Sequence, residues 1–136
     1  MANDLAGEFS VKLADGKEHV VAFGARGLRE LERVFKRPVL QFLDDARKNM
    51  VATWGYEMVH GALLAGLRHK RPGVDEAWLD QRFSTRMVDM IGYAQVVTDA
   101  ILAATFGPEE LRGDELKKEA PSEGPRPSST SPGGTG

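Results

Sequence analysis

The side chains that could do chemistry in this 136-residue chain are few and scattered. Of its histidines, His19, His60 and His69, His60 falls within an expected helix together with a carboxylate: Glu57 precedes it by three residues. Such a pair shares a helix face and could offer two ligands to a metal ion. No second histidine stands on that face and no carboxylate cluster completes the set, so a core or surface histidine is the simpler reading. Carboxylates also come as neighbours, at Asp44-Asp45, Asp75-Glu76 and Glu109-Glu110. Adjacent residues on a helix point in different directions, which does not suit paired acid and base catalysis. With no cysteine there is no thiol nucleophile, disulfide or cysteine-based zinc site. The serines form no nucleophile elbow, and the glycines form neither a phosphate loop nor a dinucleotide fingerprint. A non-enzymatic protein is expected, with no catalytic residue, no metal and no cofactor.

One cluster suggests binding instead. Arg68, His69, Lys70 and Arg71 stand in a row within "LLAGLRHKRPGVDEAWLDQRF". A helix that reads DNA carries its basic residues along one face, beside polar base-contacting side chains. Here they fall at a helix C-terminus, where cations complement the macrodipole, and Pro72-Gly73 then turns the chain into an acidic helix start. The formal net charge of -2 also argues against a general phosphate-backbone binder. Arg68, Lys70 and Arg71 remain the phosphate contacts of an alternative reading, a nucleic-acid-binding regulator.

The aromatic and methionine residues allow two uses. Trp54, Trp78 and Phe83, with Met58, Met87 and Met90, could line an adaptable groove for a protein partner. At helical spacing such residues are more commonly core. Leu63 and Leu67 join them as apolar members of the same helix–turn–helix junction. Five short helices over one hairpin are expected to leave part of this set exposed to a partner.

These residues need elements to position them. "EFSVKLADGKEHVVAF" over residues 8–23 reads as a β-hairpin, with Phe9, Val11 and Leu13 on one face and Asp15-Gly16 at the turn. A lone hairpin is marginal in water, so helices must cover it. "RGLRELERVFKR" has Leu28, Leu31, Val34 and Phe35 at helical spacing and stops at Pro38. Pro38 is also suited to the first turn of the next helix, 39–50. One continuous helix is expected over 52–69. Asp75 is expected to cap the next, with Val74 and Leu79 as its hydrophobic staple. A final helix is expected from about Thr85 to Phe106, with Met87, Met90, Ile91, Ala94, Val97, Ile101 and Ala104 as its buried stripe and Gly107-Pro108 as its stop.

The expected fold is therefore α+β and mostly α, with an N-terminal β-hairpin packed on about five short-to-medium helices. Residues 1–112 form the helical domain. Residues 113–136, rich in Pro, Ser and Gly, are too poor in apolar side chains to offset their ordering entropy and are expected to form a disordered tail. No secretory signal is visible, and no apolar stretch approaches the roughly 20 residues of a membrane span, so the expected location is cytoplasmic, with no membrane partner.

The order of features resembles the tail assembly chaperones of long-tailed phages and gene transfer agents. Gly7-Glu8 leading into a strand, Asp15-Gly16 at the hairpin, and Leu28 to Glu32 as a Leu-x-x-Leu-Glu element stand where that family has them. Ala65 to Arg68, followed by Pro72 to Trp78, are similar to its helix end, short turn and acidic helix start. The resemblance covers about residues 5–107, and its motifs are short and structural. It implies a small α-helical protein made in the host cytoplasm during siphovirus-type virion assembly and absent from the finished particle. It further implies binding to the tape-measure protein, which is kept soluble while tail-tube subunits polymerise around it. Many members also have a longer form made by ribosomal frameshifting, with which Lys117-Lys118 is compatible. Self-association through the apolar stripe is a further expectation. The competing function is a structural virion protein, such as a connector or tube-end component.

Overall fold

The computed structural model describes residues 7–107. The expected tail, 113–136, lies outside the described residues. Among them are two strands, β1 (Phe9–Lys12) and β2 (Glu18–Val21), and six helices: α1 (Ala25–Phe35), α2 (Val39–Lys48), α3 (Met50–Thr53), α4 (Tyr56–Leu67), α5 (Glu76–Asp80) and α6 (Met87–Phe106). The fold is α+β and mostly α.

The hairpin follows from its turn chemistry. Gly16 takes a positive φ of 78°, which a side chain would resist. Asp15 Oδ1 accepts the Lys17 N–H at 2.9 Å and closes the turn locally. The antiparallel register sets Phe9 opposite Val21 and Val11 opposite His19, so Val11, His19 and Val21 share a buried face. That face lies on α4 and α6, the cover that a two-stranded sheet needs.

α4 is the central element. It buries Val59 and the whole run from Ala62 to Leu67 between α1, α6 and β2. Gly66 lets β2 come close: a Cβ there would stand 2.5 Å from Val21 Cγ1, and the Gly66 carbonyl accepts the Ala22 N–H at 3.2 Å. α1 ends at Lys36 in the left-handed conformation, with its N–H donating to the Glu32 carbonyl. Pro38 stands one position outside α2, as its N-cap residue rather than in its first turn. The Val39 N–H, which has no partner within the first turn of α2, donates to Glu32 Oε2 at 3.0 Å. Asp75 caps α5 by accepting from Trp78 N at 2.9 Å, and both staple residues, Val74 and Leu79, are buried.

Two expectations are corrected. The segment 52–69 is not one helix but α3 and α4, separated at Trp54-Gly55. The break has a tertiary cause: the Trp54 ring is held edge-on to Phe35 at 6.0 Å and Phe42 at 4.8 Å, and those two phenyl rings stack at 3.6 Å. Gly55, extended at φ -97° and ψ 178°, then starts α4 afresh. The membrane expectation also shifts. By length and composition α6, twenty residues with mean hydropathy 1.3, is apolar enough to cross a membrane, although a core helix passes the same test.

Three carboxylates hold their charge more tightly than usual. The hydrogen bond from Lys70 lowers the Glu8 pKa, the Lys17 N–H lowers that of Asp15, and Arg47 with Lys48 lowers that of Asp44. Folded values below the unfolded ones mean that the unfolded chain takes up protons first as the pH falls. Their stabilisation is thus complete above the ordinary carboxylate range and is lost as pH drops through the folded values. The urea midpoint should fall between about pH 6 and about pH 3, and Glu8→Gln should flatten part of that slope. An unchanged slope in that variant would remove the Glu8–Lys70 pair from the account.

Candidate functional site

The polar candidates are occupied within the fold. Arg68 donates to Glu30 Oε2 at 2.9 Å and to the Val74 carbonyl at 3.0 Å. Lys70 Nζ is 2.7 Å from Glu8 Oε2. The Arg71 guanidinium lies 5.4 Å from the Trp78 ring centre and 3.4 Å from His19 Nδ1. A guanidinium only donates, so His19 Nδ1 accepts and Nε2 carries the proton toward Asp15 Oδ2 at 3.2 Å. The basic row is thus a clasp tying the α4–α5 junction to the hairpin and α1. His60 Nε2 stands 2.8 Å from Asp80 Oδ1, yet the ring N–H is not aligned for a hydrogen bond; the ring packs edge-on to Phe83 at 5.0 Å. Among the described residues no group of three or more His, Asp or Glu side chains is arranged to hold a metal. Asp44 pairs with Arg47 and Lys48, and Asp45 with Arg37. Glu109-Glu110 lies outside the described residues.

The distinctive surface is apolar. One groove of about 510 Å³ runs between α2 and the C-terminal half of α6, lined by Leu40, Leu43, Leu102 and Phe106. A second, of about 490 Å³, runs between α3, the start of α4 and the first half of α6, lined by Val51, Tyr56, Met87 and Ile91. Met50 and Trp54 belong to both and form the ridge between them. Every large hydrophobic side chain exposed among the described residues borders one of these grooves, with the exception of Val88. The lining of the second groove carries no charged residue; that of the first has only Asp44 and Arg47. Scattered exposed hydrophobics are ordinary, whereas a contiguous set along one helix marks an interaction surface.

The residues expected to bind a partner divide on burial. Met87 is exposed and lines the second groove; Met90 is buried except for the edge it presents to that groove, and Trp54 is buried beneath the ridge that exposed Met50 tops. Leu63 and Leu67 offer no surface, being 0% and 1% exposed on the inward side of α4. Trp78 is half-buried under the guanidinium of Arg82 at 4.3 Å, and Phe83 is packed between His60 and Tyr93. With Met58 they pack against the core and line neither groove. The expected buried stripe of α6 is also partly misphased. Met90, Ala94, Val97 and Ile101 are buried, but Met87, Ile91 and Ala104 are exposed.

Leu40, Met50, Val51, Tyr56, Leu102 and Phe106 are groove residues that were not expected to bind a partner, and Ile91 is one that was expected to be buried. One signal was available. The hydrophobic residues of α6 spread over more than one helix face, so a single buried stripe could not account for all of them.

Against this geometry, comparison of the chain with family models, with curated proteins and with solved structures gives no match.

Proposed function

We propose that this chain is a non-catalytic assembly chaperone of phage tails. In this reading it binds the tape-measure protein, keeps it soluble in the host cytoplasm and assists polymerisation of tail-tube subunits around it. The observation that supports it most is the double apolar groove along α6, a surface suited to the apolar face of a long helical client. The ridge at Met50 and Trp54 divides that surface, so a bound helix would set one apolar cluster on either side of it. Met50 and Met87 give the rim side chains that adapt to different clients. Of the positions that carry the family resemblance, Leu31 and Ala65 to Leu67 are core residues here, whereas Asp15, Gly16, Pro72, Gly73 and Asp75 are exposed turn and cap residues. They bear on the fold, and the client reading leans on the grooves.

Co-expression with a tape-measure fragment from the same genome provides the test. The wild-type chain should hold the fragment soluble. Val51→Asp combined with Leu40→Asp should weaken binding at least about 30-fold, as loss of a central apolar anchor does. Both side chains are exposed, 88% and 55%, so the circular dichroism spectrum and thermal midpoint should stay near wild type. Absence of affinity for both tape-measure and tube subunits would end this reading. Stoichiometric recovery of the chain from purified particles would make it a structural virion protein instead.

A further inference from the structure

We infer that α6 pairs antiparallel with α6 of a second copy of this chain. Met87, Ile91, Gln95, Thr98, Leu102 and Phe106 stand on its outward side, all but Gln95 lining one of the grooves, with intervals of 4, 4, 3, 4 and 4 residues. At 3.6 residues per turn they fall within a sector of about 100°. The series of intervals reads the same in both directions. Reversal sets Met87 against Phe106, Ile91 against Leu102 and Gln95 against Thr98. A two-fold interface requires this reciprocity, because residue i meets j wherever j meets i.

The chemistry matches the spacing. Both ends of the stripe are apolar, and its middle is uncharged and polar, with an amide and a hydroxyl that can bond across the axis. The charged residues of α6 are Asp89 and Asp99, and neither falls within the sector. Two copies can therefore meet without like charges opposed. The relief is complementary as well. Ile91 stands 50% exposed, whereas Leu102 is half-buried in the groove of about 510 Å³.

This chain's own remaining residues are a poor cover for the same surface. Residues 108–136 hold Leu111 and Leu116 as their only large apolar side chains, and residues 1–6 hold only Met1 and Leu5. An α6 of about 30 Å by 10–12 Å presents a few hundred Å², less than the roughly 800 Å² per partner of a standard stable interface. Pairing is accordingly weak and reversible. It shields the grooves while leaving them open to displacement.

Sedimentation equilibrium of the full chain over a concentration series tests the pairing. It does not rest on the chaperone reading, since no client is present, and failure of either leaves the other standing. The mass should rise from monomer toward dimer, and Ile91→Lys or Leu102→Glu should each weaken association at least tenfold. The double variant should regain it, because the two introduced charges meet across the axis. Along one helix they lie about 16 Å apart and cannot pair. The absence of cysteine allows a second readout that does not depend on how well Leu102→Glu folds. Ile91→Cys mixed with Leu102→Cys should cross-link on oxidation, and neither should do so alone. A monomer at every concentration, a dimer indifferent to both charge variants, or self-cross-linking of either single cysteine variant would overturn the inference.

Discussion

Phe42→Ala should lower stability by about 3–5 kcal/mol, read as a shift of the urea midpoint at unchanged slope. Phe42 is fully buried, its ring is stacked 3.6 Å from Phe35, and the edge of Trp54 rests against it at 4.8 Å. The cavity left by an alanine is bordered by two large aromatic side chains that cannot both collapse into it. Against the 5–15 kcal/mol that holds a typical domain together, such a loss is a substantial fraction. It should also reach the surface, because Trp54 is the ridge between the two grooves. Leu40→Ala, two residues before Phe42 on the outward side of the same helix and 55% exposed, should change stability by no more than about 0.5 kcal/mol. Similar losses in both variants would show that the aromatic stack is not a load centre of the fold.

Gly66→Ala should destabilise by about 1–2 kcal/mol net, although helix propensity alone favours alanine there by about 1 kcal/mol. A Cβ at Gly66 would meet Val21 Cγ1 at 2.5 Å and Phe23 Cζ at 3.0 Å. Val21 is β-branched, fully buried and part of the hairpin, so it has little freedom to move aside. The backbone bond from Ala22 to the Gly66 carbonyl ties the same approach on a second point. Gly92→Ala is the contrasting case. Gly92 is mid-helix, exposed, with nothing within 4 Å of a built Cβ, and alanine should stabilise by about 1 kcal/mol. Thermal midpoints should therefore move in opposite directions, by roughly 4–8 °C per kcal/mol for a domain near this size. A stabilising Gly66→Ala would mean that β2 and α4 are not in close contact.

Local signals were legible where a short stretch suffices to fix a conformation. Asp15-Gly16 carries the hairpin turn in its own backbone and side chain, and Asp75 carries the α5 cap. The staple of Val74 and Leu79 was readable for the same reason, since its partners are five residues apart. Where geometry depended on distant residues, the reading failed in an orderly way. Nothing near Trp54 in sequence demands a helix break; Phe35 and Phe42, from α1 and α2, hold the ring out of helical register. The stripe of α6 was misphased because its hydrophobic residues spread over several faces and its few polar ones form no continuous face to set the phase.

By itself the sequence determined an α+β chain with an N-terminal hairpin and helices bounded by Pro38, Asp75 and Gly107. These depend on residue type, spacing and local backbone preference, all of which are written along the chain. Tertiary structure alone decided which hydrophobic residues reach the surface. Leu63 and Leu67 vanish into the core because α1, α6 and β2 converge on α4, while Val51, Ile91 and Phe106 stay outside because no element of residues 7–107 packs over them. Burial is a property of what lies opposite a side chain, and that partner is usually far away in sequence. The candidate site therefore moved from a helix–turn–helix junction to the length of α6.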